Sequence, residues 1–159
     1  MITFSSDSTN HRTDEYGGPV QNRTKFPLEV ISAIAAAITP QRTGVRLSPY
    51  NRRYNMGEVD PIPVYTHLVR TLKAKEPNLA YLSLVESDDD KQLENVDWIR
   101  EIWKKDGGVF ITATQHTRES GLKYAETGDV ISYGQLFVSN VRFSFKLCAK
   151  KPPLTVLLA

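Results

Sequence analysis

The stretch Gly44-Val45-Arg46-Leu47-Ser48-Pro49 decides how the chain is read. It is a short strand with an arginine at its centre, closed by a Ser-Pro stop. Side chains alternate along a strand, so Val45 and Leu47 share one face and Arg46 takes the other. On an exposed antiparallel strand Arg46 simply faces water. On a central strand of a parallel sheet both faces are covered, and a guanidinium there needs an anion or a ring of acceptors. Which sheet this is must come from the flanking chain.

Working outward, strands alternate with helices. Before the strand, residues 21–38 predict a helix, with Phe26, Val30, Ile34 and Ala37 at helical spacing as its inward stripe. Pro27 inside that pattern predicts a kink or a later start. After the strand and an irregular loop over 48–60, Asp60-Pro61-Ile62-Pro63 reads as a capped helix start, followed by the stripe Tyr65, Leu68, Val69 and Leu72. Residues 79–85 form a nearly continuous apolar run, as in a strand buried on both faces. Val96, Ile99, Ile102 and Trp103 mark a short helix ending at Asp106-Gly107-Gly108, and residues 109–112 a short strand. Residues 118–127 are weakly helical, with Leu122 and Ala125 inward and Gly128 as a stop. Residues 130–133 are a fourth strand, before Gly134. The order α-β-α-β-α-β-α-β implies right-handed βαβ units and a parallel sheet. Arg46 is therefore expected on a covered strand. Arg46, Glu86, the Thr112–Gln115 stretch and Gly134 gather at the carboxyl ends of the strands, where such folds bind ligands.

Composition narrows the function classes. The 159 residues suit one domain, with residues 1–21 a loop-rich start and 141–159 a divergent tail. A net charge of +2 gives no electrostatic case for nucleic acid or an anionic membrane as partner. One cysteine, Cys148, excludes an intrachain disulfide, and no catalytic signature surrounds it. The first residues carry no basic, apolar leader pattern, and no apolar run reaches the roughly 20 residues of a membrane helix. The expectation is a soluble, cytoplasmic protein. His11, His67 and His116 are dispersed without metal-ligand spacing and read as surface or helix histidines, and Trp98 and Trp103 read as packing.

The strand ends, taken in order, resemble the second half of the Old Yellow Enzyme family, the FMN-dependent ene-reductases. Asn10-His11-Arg12-Thr13-Asp14-Glu15-Tyr16-Gly17-Gly18, Asn22-Arg23 and Phe26-Pro27-Leu28-Glu29-Val30 resemble the loop and helix after the family's fourth barrel strand. Val45-Arg46-Leu47-Ser48-Pro49 resembles its fifth strand, Asp60-Pro61-Ile62-Pro63 its fifth helix, and Leu79-Ala80-Tyr81-Leu82 through Val85-Glu86 its sixth strand. Ile99-Arg100 with Trp103-Lys104, Arg118-Glu119-Ser120 and Tyr133-Gly134 extend the likeness to about Asn140. The resemblance implies a partial TIM (β/α)8 barrel comprising about the last four strands. It implies FMN as cofactor, NAD(P)H as reductant, and hydride transfer from reduced flavin to an activated alkene, a small-molecule substrate. It places Arg46 beside the flavin, where a fixed cation stabilises charge on the reduced ring. It places Ala113, Thr114, Gln115, Gly134 and Gln135 at the FMN phosphate. Tyr50 and Tyr54, in the loop after the Arg46 strand, are candidates for lining a substrate pocket.

Two departures qualify what the resemblance implies. The family's first four strands, with its carbonyl-binding His/Asn pair and its proton-donating tyrosine, have no counterpart here, so no catalytic residue is assigned. A glycine pair expected after the seventh strand is Thr114-Gln115, and the phosphate-binding arginine is Gln135, which cannot form a bidentate charged contact. Three readings follow: a half enzyme that acts only when other strands complete it, a non-catalytic half barrel kept as a folding or interaction remnant, and a self-contained α/β domain for another phosphate ligand. Strand edges near Val45 and Val130 are expected to lack neighbours, which favours a second barrel half or a homo-oligomer as partner.

Overall fold

The computed structural model describes residues 5–50, 59–85, 96–113 and 116–140, with Arg142 and Cys148. Tyr54, Glu86, Thr114 and Gln115 lie outside the described residues, and Gln135 is described by its backbone only. Four strands, β1 (Gly44–Leu47), β2 (Tyr81–Val85), β3 (Phe110–Ala113) and β4 (Val130–Ser132), alternate with helices α1 (Val20–Ile38), α2 (Pro61–Lys75), α3 (Asp97–Lys104), α4 (Arg118–Glu126) and a last turn, α5 (Gln135–Val138). The sheet order is β1-β2-β3-β4 and every pairing is parallel. The alternation seen in the sequence therefore gives the sheet it implies, part of an α/β barrel.

Local chemistry sets the element ends. The Asp60 carboxylate accepts from the Ile62 amide at 3.0 Å and Pro61 opens α2, so an orphan donor is met and a missing one costs nothing. Thr117 caps α4 by accepting from the Ser120 amide at 3.2 Å. Gly107 and Gly128 close α3 and α4 with φ of 84° and 81°, a region glycine enters without steric cost. The loop before α1 ties itself off. Asn10 Nδ2 donates to the Tyr16 carbonyl at 2.7 Å, and Asp14 accepts from the Tyr16 amide at 3.1 Å and from Arg12 Nε at 2.9 Å. The buried Arg23 of α1 then donates to the carbonyls of Gly18 and Ser5 at 3.0 and 2.5 Å. The long Asn10–Gly18 run is thus architectural: it spends its polar groups on the entry to α1.

The core lies between the helices and one face of the sheet. Val45, Leu47, Leu82, Leu84 and Phe110 pack there against Leu28 and Ile31 of α1, the α2 stripe Tyr65, Leu68, Val69 and Leu72, and Ile99 and Trp103 of α3. Two expectations about inward faces are corrected. Helix α1 runs over nearly the expected range, from Val20 through the buried Pro27, which excludes the reading that it starts at the proline. Its core stripe is Thr24, Leu28, Ile31 and Ala35, whereas Ile34 and Ala37 are exposed. The helix is apolar on more than one face, and spacing alone does not say which face meets the sheet. In α4, Leu122 and Ala125 point outward and Gly121 is the buried residue, because the Tyr133 hydroxyl occupies the space beside it, 2.1 Å from where a Gly121 Cβ would stand.

Gly44 is explained by its neighbour across the sheet. It pairs with Tyr81, and a Cβ on Gly44 would lie 2.3 Å from the tyrosine ring. Gly44→Ala is expected to push that half-exposed ring off the strand at a cost of about 1–2 kcal/mol. Urea unfolding would read the loss, and Tyr81→Ala in the same background should recover most of it; additive losses would break the pairing argument.

Candidate functional site

Directly paired residues of a parallel sheet point the same way, so the register sorts the strands into two faces. Arg46 is paired with Ser83, Ser83 with Ile111, and Ile111 with Val130. One step toward the carboxyl ends, Val85 is paired with Ala113 and Ala113 with Ser132. These residues form the inner face, opposite the helices. Gly44, Arg46, Tyr81, Val130 and Ser132 are exposed on it, while Val85, Ile111 and Ala113 are half-buried and Ser83 is buried.

This corrects the expectation that Arg46 lies on a strand covered on both sides. Helices cover only the Val45 and Leu47 face, and the Arg46 face of the described sheet is open. Among the described residues no hydrogen bond or ion pair engages its guanidinium. Being exposed, the guanidinium is not required to shed its water. The same holds for β2, whose apolar run predicted burial on both faces: Tyr81 is exposed and Val85 half-buried. Ser83, the one polar residue of the 81–85 run, sits beside Arg46 and was not singled out from sequence; its polarity in an apolar run was the available signal.

The structure gathers the remaining candidates only in part. Ala113 lies at the carboxyl end of β3 on the inner face, two positions beyond Ile111. Gly134 follows β4 and opens α5, its carbonyl accepting from the Val138 amide at 3.0 Å. A Cβ at Gly134 would meet nothing within 4 Å, so this turn is open to approach. Tyr133 beside it donates to the Thr117 carbonyl at 3.2 Å, and burial, then the charge of Glu119, pushes its phenol up from the ordinary range. Tyr50 is half-buried and packs against the hydrophobic core, so it serves packing as well as the loop after β1.

A buried polar cluster was not foreseen. His116, expected at the surface or on a helix, is 4% exposed in the turn between β3 and α4. Its Nε2 lies 3.0 Å from Thr112 Oγ1 and its Nδ1 3.4 Å from Ser120 Oγ. The rings of Tyr124 and Tyr133 flank it at 5.5 and 6.5 Å. The imidazole bridges the end of β3 to the first turn of α4. His67 plays a similar linking part on α2, its Nδ1 2.9 Å from Thr24 Oγ1 of α1, while His11 is exposed. Among the described residues no group of three or more His, Cys, Asp or Glu side chains could hold a metal ion. No helix among them is long and apolar enough to cross a membrane.

The profile of the NADH:flavin oxidoreductase / NADH oxidase family matches residues 1–153. Over 146 residues the chain is 36% identical to putative 12-oxophytodienoate reductase 2 of Oryza sativa subsp. japonica, which covers 86% of this chain and 38% of that protein. It is likewise 36% identical over 149 residues to 12-oxophytodienoate reductase 2 of Arabidopsis thaliana, covering 86% of this chain and 37% of the relative. It superposes on an old yellow enzyme homologue from Zymomonas mobilis with a TM-score of 0.85 at 28% identity, over 99% of this chain and 45% of that one. For morphinone reductase the TM-score is 0.80 at 27% identity, over 96% and 41% of the two chains. The chain spans about two fifths of the length of the curated relatives it matches. Four parallel strands with an arginine near the carboxyl end of the first thus superpose on part of a larger barrel, and the chain belongs to the NADH:flavin oxidoreductase / NADH oxidase family, that of Old Yellow Enzyme.

Proposed function

We propose that this chain supplies the C-terminal strands of an FMN-dependent NAD(P)H oxidoreductase of the ene-reductase type, and that the four strands alone bind flavin weakly and are inactive. The observation that carries the reading is Arg46, an open cation near the carboxyl end of a parallel strand in a chain of this family. The residues present fit part of an FMN site. Arg46 suits the flavin side, where a fixed positive charge stabilises a reduced, anionic ring. The phosphate side is poorer: Gly134 leaves room, but Gln135 brings no charge and Thr114-Gln115 carry side chains where close backbone approach favours glycine. FMN, when bound, would carry hydride from NAD(P)H to an activated alkene; this chain's part is to position it and to hold a cation beside it. Tyr50 and Tyr54, after β1, are the residues of this chain proposed for the substrate side.

Titration of the 159-residue chain with FMN, followed by flavin fluorescence, tests the reading. No saturable binding is expected at micromolar FMN. Gln135→Arg combined with Thr114→Gly should tighten binding roughly tenfold or more by adding a bidentate phosphate contact. Micromolar saturable binding by the unaltered chain would overturn the weak-binding reading. An affinity unmoved by both substitutions would overturn the placement of the phosphate at these strand ends. A second reading, a non-catalytic half barrel, is favoured specifically by the neutral Gln135, and predicts that the double substitution restores binding without restoring turnover.

A further inference from the structure

We propose that His116 is a proton-sensitive clasp: neutral, it ties the end of β3 to the first turn of α4, and charging it loosens α4 from the sheet. The hydrogen-bond geometry selects one neutral form. The Ser120 hydroxyl donates to the Thr117 carbonyl at 3.3 Å, so toward His116 Nδ1, 3.4 Å away, it offers a lone pair. Nδ1 therefore carries the ring proton, and Nε2 is left to accept from the Thr112 hydroxyl at 3.0 Å. Thr112 is fully buried and His116 is 4% exposed, so neither can readily exchange the other for water. A second ring proton, on Nε2, would turn that nitrogen from acceptor to donor and set it against the Thr112 hydroxyl proton.

The surroundings favour the uncharged ring. Burial removes the water that an imidazolium needs. His116 directly precedes Thr117, the cap of α4, and so stands at the positive end of that helix. From β3 the facing group is the neutral Thr112. From α4 it is the Tyr124 ring, and Arg100 of α3 adds a positive charge 4.6 Å from that ring. Asp129 accepts from this same Arg100 and from Lys104. After β4 it is Tyr133, whose phenol burial and then Glu119 push up, so that it stays neutral. Glu119 would favour a charged imidazole, but it is exposed to water and salt, and Arg118 beside it acts in the opposite sense. A histidine in the open chain titrates near about pH 6.5. A ring harder to charge in the fold than there adds stability that is complete above that pH and is lost as pH falls below it. Ala113 follows Thr112 and Tyr133 precedes Gly134, so the clasp lies beside the strand ends assigned above to the FMN phosphate, although it does not rest on that assignment.

Long-range proton–nitrogen NMR of the 159-residue chain, labelled at its histidines and free of flavin, tests this. At about pH 7.5 the proton of His116 is expected on Nδ1, and charging the ring should need roughly tenfold more acid, or more, than charging the exposed His11. Urea unfolding gives a second reading. Between about pH 7.5 and about pH 5.5 the unfolding constant should rise roughly fivefold more in the unaltered chain than in His116→Phe, which keeps a ring between the two tyrosines and cannot titrate. A proton on Nε2 at the higher pH, titration of His116 at or above the pH of His11, or a rise undiminished in His116→Phe would overturn the proposal. If His116→Phe does not fold, the NMR titration of the unaltered chain decides.

Discussion

Asp129→Asn is expected to lower the unfolding free energy by about 3 kcal/mol or more, because it removes one member of a buried ion cluster and leaves its partners charged. The Asp129 side chain is fully buried after α4, where it accepts from Arg100 Nε at 2.6 Å and from Lys104 Nζ at 2.5 Å. The guanidinium it holds lies over the rings of Phe110 at 5.1 Å and Tyr124 at 4.6 Å. One carboxylate thus clamps α3 to the loop leading into β4. Lys104 can regain water when the carboxylate goes, but Arg100, with its side chain only 10% exposed, has little access to it. Another partner of Arg100, Asp97, is half exposed, and a pair of that kind contributes under about 1 kcal/mol. Urea unfolding of Asp129→Asn and of Asp97→Asn should separate the two by at least about 2 kcal/mol. Equal effects would show that Asp97, and not Asp129, anchors the arginine.

Trp103→Ala should cost about 3–5 kcal/mol, the range for emptying a buried aromatic site. Trp103 is fully buried on α3. Its Nε1 donates to the Val109 carbonyl at 2.9 Å, and Lys73 of α2 places its Nζ 5.0 Å from the ring centre. The fit is close on the side of β3: a Cβ on Gly108 would come within 2.6 Å of the indole nitrogen. Trp103→Phe keeps most of the packing and loses the donor, while the Val109 carbonyl still accepts from the Leu82 amide at 3.0 Å, so it should cost about 1–2 kcal/mol, mostly from the lost ring volume. Chemical denaturation followed by circular dichroism reads both variants. If Phe were as damaging as Ala, the hydrogen bond would outweigh the packing, contrary to the argument.

Legibility from sequence followed the range of the interactions involved. The α2 stripe and its Asp60-Pro61 start, the glycine stops at Gly107 and Gly128, and the parallel order of strands could be read because each depends on neighbours within a few residues. The inward face of α1 and of α4 was misread. Both helices carry apolar residues on more than one side, and the face that meets the sheet is chosen by contacts far along the chain. The burial of His116 was invisible for the same reason, since its flanking Tyr124 and Tyr133 come together with it only when α4 folds back on β3.

The segment Gly44–Pro49 marks the division. By itself the sequence determined that Arg46 lies opposite Val45 and Leu47, that the strand belongs to an alternating α/β chain, and, through its resemblance, the family. Those follow from strand periodicity and from local order, which no distant residue alters. Only the tertiary structure decided that, among the described residues, helices cover one face alone and Arg46 stands on the other, with Ser83 beside it. Coverage depends on which elements pack across the sheet, and that is set by the whole chain's three-dimensional closure, not by any run of six residues.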